Sequence, residues 1–287
     1  MLDLRYPRTD QYEGDGDVVM RSIETILSSL FVPGDRPERF AKAEASGADA
    51  IILDLEDAVA PDRKDDARAN VVSHGLDQRP VIVRINARGT PWFEADCAAL
   101  AQASIAAIML AKSESAADIA VIHQIVGRQV PMVPLVETAA GVGSLSDLLS
   151  APGVVRVAFG SFDFALDLGC TQTWEPLLHA RSEIVLRSRL AGRSAPIDGI
   201  TASLDDMEVV EAEARRAKEM GFGGKLAIHP RQVAAIRTGL MPNEATVAWA
   251  RSVIAAADGE GGAVRASGSM IDRPVVECAR RVLAAVG

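Results

Sequence analysis

VPLVETAAGVGSLSDLLSAPGVVRVAFGSFDFALDLG, residues 133–169, is the stretch from which the fold of this chain can be read. It holds two short apolar runs, Val133-Pro134-Leu135-Val136 and Val154-Val155-Arg156-Val157-Ala158-Phe159, rich in β-branched residues and bounded by Gly and Pro. Runs of that length read as buried parallel strands. Each is followed by an acid, Glu137 at once after the first and Asp163 just after the second. Gly141 to Leu149 fits a short helix between them. The acids stand 26 residues apart, about one β/α repeat. Carboxylates at the C-terminal ends of neighbouring parallel strands point into one shared mouth, where such folds carry their active sites. Two acids converging there suit a hard divalent cation such as Mg²⁺, which leaves room for substrate oxygens. The same acids also read as a helix cap and a turn residue, so the pattern alone leaves both readings open.

The chain has 287 residues, a net charge of −9 and nearly half its residues hydrophobic. That length suits one α/β barrel with an appendage. Acids and bases are interleaved, which argues against a general nucleic-acid surface. Cys97, Cys170 and Cys278 are far apart and form no CxxC, so neither a zinc site nor a disulfide framework is indicated, and a reducing, cytoplasmic setting is expected. No apolar run is long enough for a membrane helix, and the acidic start of the chain lacks a signal-peptide core. Residues 1–26 read as an arm or oligomer contact, 27–242 as the catalytic barrel, and 243–287 as a lid or oligomer-contact segment.

Working outward, strands are expected at Ser28–Val32, Asp49–Asp57, Val81–Asn86, Ala106–Ala111, Val133–Val136, Val154–Phe159, Ala195–Ile200 and Gly224–His229. Helices are expected at Pro37–Ser46, from Pro61, at Pro91–Ala103, Ser115–Val126, Trp174–Ala191 and Asp205–Met220. Eight strands alternating with helices at intervals of roughly 25–35 residues make a (β/α)₈, or TIM, barrel. No nucleotide-binding glycine motif is present. After the barrel, Asn243–Ala257 reads as a helix, AVRASGSM as a hairpin around Ser267-Gly268, and Asp272-Arg273-Pro274 as the start of a last helix. Arg84 stands inside an apolar strand, and an unpaired buried Arg is expensive. It must meet either a structural acid or an anionic ligand.

SLFVPGDRPERFAKA, DAIILDLEDAV, VIVRINARGT, IMLAKSES, PLVETAAG, AFGSFDFALDLG, GGKLAIHP and SMIDRPVVECAR, in this order, resemble the citrate lyase beta-subunit-like family of the HpcH/HpaI aldolase superfamily. The resemblance runs from about Ser28 to the C-terminus. It implies a Mg²⁺-dependent TIM barrel that makes or breaks a carbon–carbon bond between an acyl-thioester and a 2-oxo or 3-oxo acid. Carried over, Glu137 and Asp163 match the metal ligands and Arg84 the substrate-gripping arginine. Asp272 matches a catalytic acid reaching a neighbouring subunit's site, which implies a homotrimer or homohexamer. Arg36 and Lys112 fall where relatives contact CoA phosphates or line the mouth. Glu56 and Asp57 sit where the ion's waters would be held. Relatives often read Met-Leu-Pro-Lys where this chain has Met109-Leu110-Ala111-Lys112, which implies a looser loop around Lys112. Ala227 replaces a frequent Cys, a packing difference.

The implied chemistry is retro-Claisen cleavage of a 3-hydroxyacyl thioester such as malyl-, citramalyl- or citryl-CoA, with Arg84 against the developing negative charge. Asp272 serves as base in the condensing direction, and His229 is its rival. A citrate lyase beta subunit acting on a carrier-bound citryl thioester, a malyl-thioester hydrolase and a non-catalytic metabolite binder are the alternatives.

Overall fold

The computed structural model describes residues 22–259, 264–266 and 269–286. Eight parallel strands form a closed barrel: β1 Ser28–Pro33, β2 Ala50–Asp54, β3 Val81–Ile85, β4 Ala107–Leu110, β5 Met132–Val136, β6 Ala158–Phe159, β7 Ile197–Asp198 and β8 Gly224–Ala227. Around them run α1 Phe40–Glu44, α2 Lys64–Val72, α3 Phe93–Leu100, α4 Ala116–Val126, α5 Ala139–Gly143, α6 Leu145–Ser150, α7 Ser161–Leu168, α8 Leu178–Leu190, α9 Met207–Met220 and α10 Gln232–Leu240. The expected (β/α)₈ barrel is the fold.

Side chains alternate between two cores because successive strand residues face opposite sides. On β2, Ala50 and Ile52 enter the barrel interior with Ile82, Met109, Val133, Leu135 and Leu226. Ile51 and Leu53 face outward into the larger core beneath the helices. Each such aliphatic side chain contributes about 1.5–3 kcal/mol when fully buried.

The element bounds differ from expectation where local backbone chemistry intervenes. The sixth strand shrinks from Val154–Phe159 to Ala158–Phe159. Met132 bridges Val154 and Leu135 pairs with Ala158, so β6 carries one more residue than β5 across the same span. That extra residue is a bulge, and Pro134 has no N–H to bridge it. The seventh strand keeps only Ile197–Asp198. The helix expected over Gly141–Leu149 is two, parted at Ser144. The one from Pro37 opens as a 3₁₀ turn and ends at Glu44. Helix α7 was not expected at all.

Two buried charged groups lock the strands from outside the mouth. Arg156, in the bulge, is fully buried and donates to the carbonyls of Ile23, Ile26 and Pro196. Burial pulls its guanidinium down to about 9, with Glu24 opposing. On the outer face of β7 and β8, Asp198 accepts from Arg181 Nε at 2.9 Å and Lys225 Nζ at 3.1 Å.

After the barrel, α11 Glu244–Gly259 and α12 Arg273–Ala284 flank a hairpin, β9 Val264–Ala266 with β10 Ser269–Ile271. The two helices pack chiefly on one another, around Ala250, Val253 and Ala279. The expected turn at Ser267-Gly268, residues 260–263 and residues 1–21 of the arm lie outside the described residues.

Replacing Arg156 with Met leaves the buried carbonyls of Ile23 and Ile26 without this donor, each worth about 1–3 kcal/mol, while the Pro196 carbonyl keeps the Gly223 N–H. Urea unfolding of Arg156→Met is expected to show a loss of about 3 kcal/mol with an unchanged m-value.

Candidate active site

Asp54 and Arg84 are register partners at the C-terminal ends of β2 and β3. They continue the inward faces begun by Ile52 and Ile82. Arg84 donates from Nε to Asp54 Oδ1 at 2.7 Å and from Nη2 to Oδ2 at 2.6 Å. Asp54 is held in turn by the backbone N–H groups of Glu56 and Ala58. Arg84 Nη1 lies 3.1 Å from Glu56 Oε2, and the guanidinium rests 4.7 Å from the Phe31 ring centroid. Of its five N–H donors, at least one on each terminal nitrogen has no partner among the described residues. Burial works against this charge, but Asp54, then Glu56 and Glu137, more than offset it and hold the guanidinium above its ordinary range.

Glu56 Oε1 accepts from Lys112 Nζ at 2.6 Å. Lys112 sits just past β4 with φ of +48°, in the left-handed region that non-glycine residues seldom adopt. That backbone turns its N–H onto Glu137 Oε1 at 2.8 Å. The loop is therefore anchored at both ends of Lys112, and Ala111 is fully buried. The looser loop implied by the missing Pro is not found.

Glu137 is buried directly after β5. Burial, reinforced by Glu56, pushes its carboxyl up to about 8, while the Lys112 amide and Arg84 pull the other way. Gly160 gives this side chain its space: a Cβ there would stand 2.3 Å from Glu137 Oε2. Asp163 lies in the first turn of α7, half-buried, with no hydrogen bond or ion pair among the described residues.

Glu137, Asp163, Arg84 and Asp54 line one cavity of about 160 Å³ with Phe31, Leu135, Phe159, Ser161, Ile200, Leu226 and Ile228. Two carboxylates on one cavity, one short of positive charge and the other unpartnered, fit a hard divalent cation. Among the described residues no group of three or more His, Cys, Asp or Glu is assembled for a metal. Magnesium does not require one, since water and substrate oxygens fill its remaining places.

The other expected residues lie around this core. Arg36 is exposed on the β1 loop, its nearest acid Asp35 at 4.0 Å, outside the cavity lining. Asp57 is exposed, 3.8 Å from Lys112 Nζ. Asp272 is an exposed cap of α12, accepting from the Val275 N–H, and does not line this cavity. His229 accepts the Arg231 N–H at Nδ1 and is likewise outside the lining. Sequence reasoning missed Asp54 as the partner of Arg84. Its parity with Ala50 and Ile52 would have placed it inside the barrel. Nothing in the sequence foretold the backbone of Lys112.

A profile of the HpcH/HpaI aldolase/citrate lyase family matches residues 27–230. The chain belongs to this family. It is an enzyme of the lyase class. It is 35% identical over 284 aligned residues to an L-malyl-CoA/beta-methylmalyl-CoA lyase of Cereibacter sphaeroides, covering 85% of this chain and 89% of that one. A crystal structure of CitE from Mycobacterium tuberculosis with magnesium, acetoacetate and coenzyme A superposes with a TM-score of 0.85 at 36% identity, covering 92% of this chain and 100% of that one. A citrate lyase beta subunit from M. tuberculosis complexed with oxaloacetate and magnesium gives 0.69 at 35% identity, covering 76% and 99%.

The raised Glu137 carboxyl gives a signed expectation. Its folded value, about 8, lies above its ordinary 4.5, so the folded chain holds the extra proton between them. In EDTA, stability should fall as pH rises through that window and level above it. Glu137→Gln removes the slope and stabilises the metal-free protein at pH 8 by on the order of 2 kcal/mol. Thermal scans from pH 5 to 9 check both. Gly160→Ala, by displacing Glu137, is expected to weaken Mg²⁺ binding at least about ten-fold in calorimetry.

Proposed function

We propose that this lyase is Mg²⁺-dependent and cleaves, or in reverse forms, a 3-hydroxyacyl-CoA thioester such as malyl-, citramalyl- or citryl-CoA, yielding an acyl-CoA and a small 2-oxo or 3-oxo acid. The observation that carries this reading is the convergence of buried Glu137, unpartnered Asp163 and doubly paired Arg84 on one cavity at the C-terminal end of the barrel. The magnesium and coenzyme A held by the mycobacterial relative, and the malyl-CoA activity of the Cereibacter one, support it.

Glu137 and Asp163 would hold the ion, which supplies Lewis-acid polarisation and a template for the oxo acid's oxygens. Arg84 offers its two free N–H groups to the carboxylate and to the oxygen that becomes the carbonyl. In cleavage the 3-hydroxyl gives up its proton and the C2–C3 bond breaks. Its electron pair moves onto the thioester as an enolate, and a proton returned to C2 completes the acyl-CoA. Asp272 is the proposed carrier of that proton, and it removes it in the condensing direction. Asp272 lies outside its own chain's cavity lining, on a segment whose helices pack chiefly on each other. Both features support delivery into a neighbouring subunit, and so a homotrimer or homohexamer. Glu56 and Asp57 would hold water around the ion, and Lys112 and Arg36 would meet the CoA side of the mouth.

The test is a coupled assay for oxo-acid release from malyl-, citramalyl- and citryl-CoA, each with Mg²⁺ and with EDTA. Metal-dependent release of glyoxylate, pyruvate or oxaloacetate is expected. Free CoA appearing with an intact hydroxy acid would instead mean hydrolysis. Asp272→Asn should lower kcat by about 10²-fold or more while Mg²⁺ and oxo-acid binding persist. Asn also caps helices, so the fold is retained. Normal turnover in that variant removes Asp272 from the mechanism.

A further inference from the structure

We infer that the cavity selects an oxo acid bearing one carboxylate and a small alkyl group over a dicarboxylate. This rests on the function proposed above and narrows its substrate class. The mycobacterial relatives hold acetoacetate in one structure and oxaloacetate in another, so the choice falls to this chain's own lining.

The charged lining is one-sided. Asp54, Arg84, Glu137 and Asp163 come from the β2, β3, β5 and β6 side. The β7, β8 and β1 side contributes Ile200, Leu226, Ile228 and Phe31, with no charged side chain. Carboxylates in the lining outnumber the guanidinium by two. A divalent cation would bring the lining to neutrality, and one substrate carboxylate would then take the free N–H groups of Arg84. A second carboxylate would lie against buried Leu226 and the edge of Ile228, partly stripped of water and without a cationic partner, which is costly.

Among the described residues, Lys225, Lys64, Lys112 and Arg36 do not supply the missing partner. Lys225, on β8, turns out of the barrel and gives its Nζ to Asp198 and to the Gly199 carbonyl. Lys64 is buried against the Leu55 and Glu56 carbonyls and Asn86. Lys112 is bound to Glu56. Arg36 is exposed outside the lining. An alkyl substituent finds an apolar wall on the β7, β8 and β1 side, where a second carboxylate would find no cationic side chain; the one hydroxyl of the lining, Ser161, stands at the start of α7.

Calorimetry of the full chain in Mg²⁺ buffer, with pyruvate, 2-oxobutyrate and freshly dissolved oxaloacetate, tests this. The two monocarboxylates are expected to bind at least about ten-fold tighter than oxaloacetate. Ile228→Arg places a cation on the apolar side at a partly exposed position, so folding is not at stake. It should shift the ratio toward oxaloacetate by about ten-fold. Ile228→Lys repeats the shift in a second background. Oxaloacetate binding as tightly as pyruvate to the unaltered chain, or Arg at 228 leaving the ratio unmoved, overturns the inference while the lyase reading stands. No oxo acid binding in the presence of Mg²⁺ overturns both.

Discussion

A guanidinium inside a barrel mouth needs its counter-charges in place before anything else can be arranged around it. Arg84 has two: Asp54 across the β2–β3 register and Glu56 just beyond it. Stripping one partner from a buried pair typically costs about 3–5 kcal/mol, so this contact constrains the strand ends as firmly as the apolar core beneath them. From it a chain of hydrogen bonds, with one ion pair between Arg84 and Glu56, runs round the mouth. Asp54 holds Arg84, Arg84 meets Glu56, Glu56 takes Lys112 Nζ, and the Lys112 amide holds Glu137. Side chains on or just after β2, β3, β4 and β5 are thereby fixed relative to one another before any ligand arrives, which is the preorganisation that electrostatic catalysis requires.

Asp163 stands outside that chain. It rides on α7, whose entry at Gly160 passes so close to Glu137 that a side chain there would collide with it. Of the two carboxylates proposed to hold the ion, Glu137 is fixed by the Lys112 N–H while Asp163 has no partner among the described residues, so Asp163 would take an incoming ion without first breaking a bond. The family's lyase chemistry is compatible with this division, since an ion kept by few protein ligands leaves sites for the substrate.

The barrel was legible because its signal repeats. Eight apolar runs at near-constant spacing specify strands even where two of them, β6 and β7, keep only two residues of regular pairing. The boundaries were harder to read. A bulge opposite Pro134 and a buried Arg156 depend on what packs across the strand, and no local periodicity encodes that. In the candidate site, the convergence of Glu137, Asp163 and Arg84 on one mouth was legible from position and from family resemblance. The geometric dependence of Arg84 on Asp54 was not, because Asp54 is one of three acids at a strand exit with Glu56 and Asp57, and inward parity sets aside Asp57 but is shared by Glu56. Helix α7 was missed because its start, Gly160-Ser161, carries no side-chain cap.

Lys112 shows how backbone strain can be retained for a reason. A left-handed conformation costs an L-residue roughly 1–2 kcal/mol, and glycine would adopt it without that cost. Glycine would still aim an amide at Glu137 but would leave Glu56 without its ammonium partner. Glu56 would then keep Arg84 at 3.1 Å and the Asp57 N–H but lose its ammonium, and the negative potential at Glu137, which already helps to raise its carboxyl, would deepen. One residue supplies both a directed N–H and a charge, from opposite ends, to two acids. That double use sets lysine against the conformational preference of its own backbone, and it explains why the loop stays anchored with alanine, rather than proline, before it.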